Sequence, residues 1–146
     1  MIIRYATARD VKKAYLLINQ LASDTFTYKA FVVSYRYNLK MNHCLVAEEA
    51  DELLGLGTLS ILHPMHHSSK IAEVLELIVD KNIRGKGIGT KLLKRLTEIA
   101  ITEKCTGIEL ASNQKRKEAH QFYEREGFRN THFKLTKPLT PIFTEP

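Results

Sequence analysis

The chain is expected to fold as an α/β protein of the α+β kind, with a mixed, mostly antiparallel central sheet flanked by about four helices. Three observations lead there. Its 146 residues, 44% of them hydrophobic, suit a single domain with one continuous core. Four segments carry apolar residues at helical spacing, and six short runs have the composition of strands. Their order is strand, two helices, three strands, helix, strand, helix, strand, with no internal repeat, linker or low-complexity segment, so one domain is expected over residues 1–146.

Ile2 to Tyr5 is the first β-rich run, and Thr7 followed by Asp10 resembles a capping arrangement that opens a helix. Val11, Ala14, Tyr15, Ile18, Leu21 and Ala22 then recur as one apolar stripe. A second, less regular helix is expected over Tyr28 to Lys40. Cys44 to Glu48 and Leu53 to Leu62 read as strands joined by the polar turn Glu49 to Glu52, an antiparallel hairpin. A loop rich in His, Ser and Pro, from His63 to Lys70, leads to Ile71 to Val79, the most apolar strand and so a central one. Ile88, Leu92, Leu93, Leu96, Ile99 and Ala100 mark the buried face of a helix ending near Glu103. Ile108 to Ala111 is another short strand, and a helix carrying Ala119, Phe122 and Tyr123 ends at Gly127, a natural C-cap residue. Phe128 to Thr136 is expected to supply a final strand. Pro138, Pro141 and Pro146 leave residues 137–146 as an irregular tail.

Twenty-two basic residues against 16 acidic ones give a net charge of +6, which favours anionic partners: nucleic acid, a phosphorylated cofactor or a small anionic substrate. The start MIIRYATARD has no basic segment followed by a long apolar run, and no apolar stretch approaches the ~18 residues of a membrane span. A soluble cytoplasmic protein without a membrane partner is expected. Cys44 and Cys105 lie far apart and outside any C-x-x-C spacing, which disfavours a redox pair, a disulfide framework or a zinc site. His63-Pro64-Met65-His66-His67 lacks an acidic or cysteine partner at ligand spacing, so no metal is expected.

Arg84-Gly85-Lys86-Gly87-Ile88-Gly89 sits between an apolar strand and an amphipathic helix. Glycines there let the backbone curl so that several N–H groups point inward, a phosphate nest reinforced by the positive end of the helix dipole. A Walker loop needs Gly-Lys-Ser/Thr, whereas Gly89 is followed by Thr90-Lys91, and a dinucleotide fingerprint needs a small third residue where Thr90 stands. Nucleotide hydrolysis and NAD binding are both disfavoured.

Arg84, Gly87 and Gly89 meet the pattern Gln/Arg-x-x-Gly-x-Gly/Ala, and the chain resembles the GNAT superfamily of N-acetyltransferases. The preceding strand from Glu73 to Val79 and the later Tyr123-Glu-Arg-Glu-Gly127-Phe128 resemble that superfamily's central strand and its Tyr-x-x-x-Gly-Phe segment. The resemblance implies acetyl-CoA as the acetyl donor. It implies that Leu77, Ile78 and Val79 hold the pantetheine arm, and that Arg84 to Gly89 with Thr90 hold the pyrophosphate. Phe122 joins the cofactor-contacting set. Many members place an asparagine seven residues before the tyrosine; here that position is Arg116, with Asn113 three residues earlier, and both are candidates.

A protonated amine must lose its proton before it can attack, because its pKa is near ~10. Glu73, six residues before Val79, matches the position where several family members carry a catalytic glutamate, and regular alternation puts it on the face of Leu75, Leu77 and Val79. Glu76 is the second candidate, on the opposite face unless a bulge intervenes. The resemblance makes Tyr123 the acid that protonates the departing thiolate. Neither cysteine falls in these motifs, so direct transfer in a ternary complex is expected.

Within the superfamily the chain is similar to the aminoalkylphosphonate N-acetyltransferases. The likeness includes Ala30-Phe31 with Asn38-Leu39, the loop His63 to His67, Lys115-Arg116 before Ala119-His120, and His132 to Lys137. It implies a small primary amine as acceptor, with Arg36, His63, His66, His67 or Lys134 available to a phosphonate. Three readings compete with it: a protein lysine or N-terminal acetyltransferase, an aminoglycoside acetyltransferase, and a basic RNA-binding module that lacks an aromatic-basic recognition motif. A homodimer is compatible with any of these.

Overall fold

The computed structural model describes residues 1–21 and 26–140, so Ala22, Pro141 and Pro146 of the expectations above lie outside the described residues. Contacts divide the chain into two compact units, Met1–Leu110 and Ala111–Pro146.

The first unit is a five-stranded sheet in the order β1 (Ile2–Tyr5), β2 (His43–Glu49), β3 (Glu52–Leu62), β4 (Lys70–Val79) and β5 (Cys105–Leu110). All pairs are antiparallel except β4 with β5. Among the described residues this unit has three α-helices: α1 (Val11–Leu21), α2 (Tyr28–Met41) and α3 (Ile88–Thr102). The expected mixed, mostly antiparallel sheet with helices is the observed one.

Local chemistry explains most boundaries. Thr27 begins α2 by accepting the Ala30 N–H at 3.2 Å. The hairpin between β2 and β3 turns at Ala50 and Asp51, both with positive φ (50° and 64°), as a tight two-residue connection requires. β5 begins three residues before the expected Ile108, because parallel pairing with β4 from Lys70↔Cys105 onward supplies bonds that the bland Cys105-Thr106-Gly107 run does not advertise.

The sheet is covered on both faces. Ala14, Leu17 and Tyr35 of α1 and α2 pack on Val46, Leu53, Leu56 and Ile78. On the other face the leucines of α3 lie against Gly55 and Gly57: a Cβ on Gly55 would come within 2.9 Å of the Ile78 carbonyl and of Leu92, and one on Gly57 within 2.9 Å of Leu96. Absent side chains at these two positions let α3 approach the strand backbone.

Arg4, Asp10 and Glu48 tie β1 to the start of α1. Arg4 donates to both Asp10 oxygens at 2.8 and 2.9 Å and to Glu48 at 2.5 Å, and Asp10 also accepts the Thr7 N–H at 2.8 Å. The Arg4 guanidinium holds the buried Asp10 carboxyl down at about 2. A folded-state value below the ordinary 3.8 means stability that is present above that pH and lost as pH falls toward 2. Thermal unfolding should therefore find Asp10→Asn about 2 kcal/mol less stable than wild type at pH 7. The difference should shrink as pH falls toward 2, and one that persists undiminished there would contradict the assignment.

The second unit contains α4 (Lys117–Arg125). Its end is a Schellman motif: Gly127, at φ 93°, donates to Glu124 O at 3.0 Å, and the Phe128 N–H donates to Tyr123 O at 3.0 Å. The ring contact between Tyr123 and Phe128, 5.8 Å between centroids, is the apolar clasp of that motif. Tyr-x-x-x-Gly-Phe is thus a helix-ending signature in its own right. The final strand expected over Phe128 to Thr136 is not formed; residues 128–140 carry neither helix nor strand. A strand exists only as half of a hydrogen-bonded pair, and among the described residues none pairs with this stretch, leaving Phe133 and Leu135 exposed.

Candidate active site

β4 has two unlike edges. Along β3 it is paired from Ile71↔Leu62 to Val79↔Gly55, but β5 accompanies it only from Lys70↔Cys105 to Val74↔Leu110. Among the described residues no strand pairs with that second edge from Leu75 to Val79. Apart from the Val79 carbonyl, which accepts from Arg84, that edge offers backbone donors and acceptors to an added extended ligand.

The β3–β4 ladder also slips. Leu59 faces Val74 but Thr58 faces Glu76, so Leu75 is the extra residue of a β-bulge. This corrects the expected alternation. Ser60 and Thr58 lie two apart on β3 and share a face, so their partners Glu73 and Glu76 share it as well. Leu77, opposite Gly57, is on the α3 face instead.

On the Glu76 face opens a cavity of about 260 Å³. Its wall is aromatic, with Phe31 stacked between Phe26 (5.9 Å) and Tyr35 (5.6 Å). Ser34 and Asn38 of α2 add neutral polar groups, and the sheet contributes Cys44, Thr58 and Glu76. Glu73 is not among the lining residues. The Thr58 hydroxyl accepts the Glu76 N–H at 3.0 Å and donates to the Oε2 of the same residue. Burial, with the nearby Glu76 carboxylate, pushes the Cys44 thiol up to about 11, so it stays protonated and is a poor nucleophile at neutral pH. Burial also pushes the Cys105 thiol up.

Beyond β4, the Arg84 Nε donates to the Val79 carbonyl at 3.2 Å, folding this side chain back over the end of the strand. Gly85 and Gly87 adopt φ of 83° and 76°, and a Cβ on either would meet nothing within 4 Å. Gly87 is the N-cap of α3 and, being glycine, brings no capping side chain of its own. First-turn N–H groups of a helix lack intrahelical acceptors, so a glycine-led end under open space suits an anion. Ile88 is buried in the core and offers only its backbone, while Lys86 and Lys91 are exposed. These features fit a pyrophosphate, and the open strand edge fits a pantetheine arm.

In the second unit Tyr123 is buried, its ring edge-on to Phe122 at 5.2 Å. Burial raises its phenol above the ordinary 10, against a smaller opposing effect of Arg116, so the hydroxyl is a donor at neutral pH. Asn113 accepts the Lys115 N–H on its side chain at 2.9 Å, and its carbonyl accepts the Arg116 N–H at 3.0 Å. His120 bonds the same carbonyl at 2.8 Å. Asn113 thus shapes the turn into α4, while Arg116 is the N-cap residue.

Sequence reasoning missed the α2 wall as a cavity lining, although Ala30-Phe31 and Asn38 had stood out by resemblance, and it missed Thr58. Its one signal was a polar residue within the apolar run Leu53 to Leu62. His63, His66 and His67 are exposed, and among the described residues no three His, Cys, Asp or Glu side chains gather as a metal site.

Sheet, open strand edge and glycine-led helix together define an acyl-transfer scaffold, and the chain belongs to the acetyltransferase (GNAT) family, which matches residues 6–128. It is an acetyl-CoA-dependent N-acetyltransferase. Among characterised proteins it is 36% identical to the aminoalkylphosphonate N-acetyltransferase of Salmonella typhimurium over 139 residues, covering 94% of this chain and 90% of that one. A transcriptional regulator from Bacillus halodurans has the same fold, with a TM-score of 0.84 at 25% identity, over 94% of this chain and 99% of that one. So has glucosamine-6-phosphate N-acetyltransferase from Arabidopsis thaliana, with a TM-score of 0.80 at 22% identity, over 95% of this chain and 98% of that one. No described helix is long and apolar enough to cross a membrane.

Proposed function

We propose that the chain moves the acetyl group of acetyl-CoA directly to the primary amine of a small molecule held in the cavity, with Glu76 taking the proton from the amine. One observation carries this reading: a carboxylate stands in an aromatic-walled cavity on the same strand whose next residues, Leu77 to Val79, have an open edge. Aromatic faces and a carboxylate both favour an ammonium group, and proton removal frees the lone pair that attacks. Acetyl-CoA supplies the reactive thioester. Leu77, Ile78 and Val79 would hold its pantetheine arm, where a backbone N–H donates to the thioester carbonyl. Gly85 to Gly89, with Thr90, Arg84 and Lys86, would hold the pyrophosphate. Asn113, Arg116 and Phe122 are the candidates for cofactor contact in the second unit.

Glu73 shares the face of Glu76 and is the second candidate base. Tyr123, its hydroxyl kept protonated by burial, is proposed as the acid that returns a proton to the leaving thiolate. Burial, which pushes both thiols up, supports direct transfer over an acetylated enzyme.

The likeness to the Salmonella enzyme supports an aminoalkylphosphonate as the acceptor, with exposed Arg36, His63, His66, His67 and Lys134 as donors to the phosphonate. A steady-state comparison of aminomethyl- and aminoethylphosphonate with alkylamines, peptides and aminoglycosides tests both levels. Turnover of small amines is the expected result. Turnover of peptides or aminoglycosides alone would move the acceptor to those classes, and failure of acetyl-CoA to bind while RNA bound in a salt-dependent way would favour a binding module.

A further inference from the structure

We propose that Thr58 is a positioning residue for the reaction, holding the Glu76 carboxylate toward the acceptor cavity from the neighbouring strand. This rests on Glu76 being the base. Thr58 is buried, and its hydroxyl closes a small ring: the Glu76 N–H donates to Oγ1 at 3.0 Å, and the hydroxyl hydrogen goes to Glu76 Oε2. With a lone pair engaged by that N–H, the hydroxyl is oriented to donate, so it fixes the direction of the carboxylate.

The ladder sets the pair. Regular register from Leu56↔Ile78 to Thr58↔Glu76 places Glu76 opposite Thr58, on the face of Ile78 that bears the cavity. The slip at Leu75 comes just beyond and brings Glu73 to the same face. Thr58 thus supplies what the base requires from its neighbour, a fixed side-chain direction.

Thr58→Val keeps the shape of the side chain and removes the hydroxyl. It is expected to lower kcat about tenfold, a part of what a base contributes, and to leave the acetyl-CoA Kd within about twofold. The acceptor KM should change less than kcat, because the carboxylate stays in the cavity and loses only its aim. Thr58→Ser should restore kcat. Thr58→Ala, which leaves room for a water to meet the Glu76 N–H, should lower kcat in the same way if the valine variant folds poorly. A wild-type kcat in Thr58→Val or Thr58→Ala would overturn the proposal, as would equal impairment of the serine and valine variants, which would assign the effect to methyl packing. Full activity in Glu76→Gln would instead remove the base reading itself, and the role of Thr58 with it.

Discussion

Replacing Glu76 by glutamine should lower kcat by about 100-fold or more, the usual contribution of a general base, while acetyl-CoA binding measured by calorimetry stays close to wild type. The amide is nearly isosteric and still accepts from the Thr58 hydroxyl, so the cavity keeps its shape and loses only its proton acceptor. Glu73→Gln supplies the control on the same face of the sheet. If Glu73→Gln takes the large loss and Glu76→Gln keeps normal turnover and pH dependence, the base is Glu73, and the cavity has been given the wrong chemistry.

The other large effect is expected on binding. Gly87→Val should raise the acetyl-CoA dissociation constant by about 10- to 100-fold. Two causes act together. A β-branched residue is strained at the φ of 76° that Gly87 adopts, and its side chain would occupy the open space over the helix N-terminus where the pyrophosphate is proposed to sit. Since a Cβ there meets nothing within 4 Å, the core should tolerate the change better than the ligand does. Calorimetric titration with coenzyme A separates the two, and unchanged affinity in a folded variant would remove the glycine loop from the cofactor site.

These expectations draw unequally on sequence and structure. The glycine loop was legible because its chemistry is local: glycines that permit positive φ, followed by an amphipathic helix, read as a helix-led anion cradle before any fold is known. Tyr123 was legible for a similar reason, since the five residues that follow it encode the Schellman ending that presents it. Glu76 was only half legible. Its residue type, its strand and its place on the face away from Leu77 and Val79 were evident, but alternation counted along β4 put Glu73 on the opposite face from it, and the cavity wall came from a helix more than thirty residues upstream. The missing last strand failed in the same way, because Phe128 to Thr136 has a strand's composition and lacks a strand's neighbour.

From the sequence alone came the order of the elements that formed, the hairpin turn, the helix ends, the glycine-led start of α3 and the family. Near-neighbour preferences write each of these into a window of a few residues, where side-chain period, φ tolerance and capping act. Only the tertiary structure decided the β-bulge that brings Glu73 and Glu76 to one face, the half-open edge of β4, the aromatic cavity and the role available to Thr58. Register between strands far apart in the chain is set by which faces bury best together, and a slip of one residue reverses every side chain beyond it.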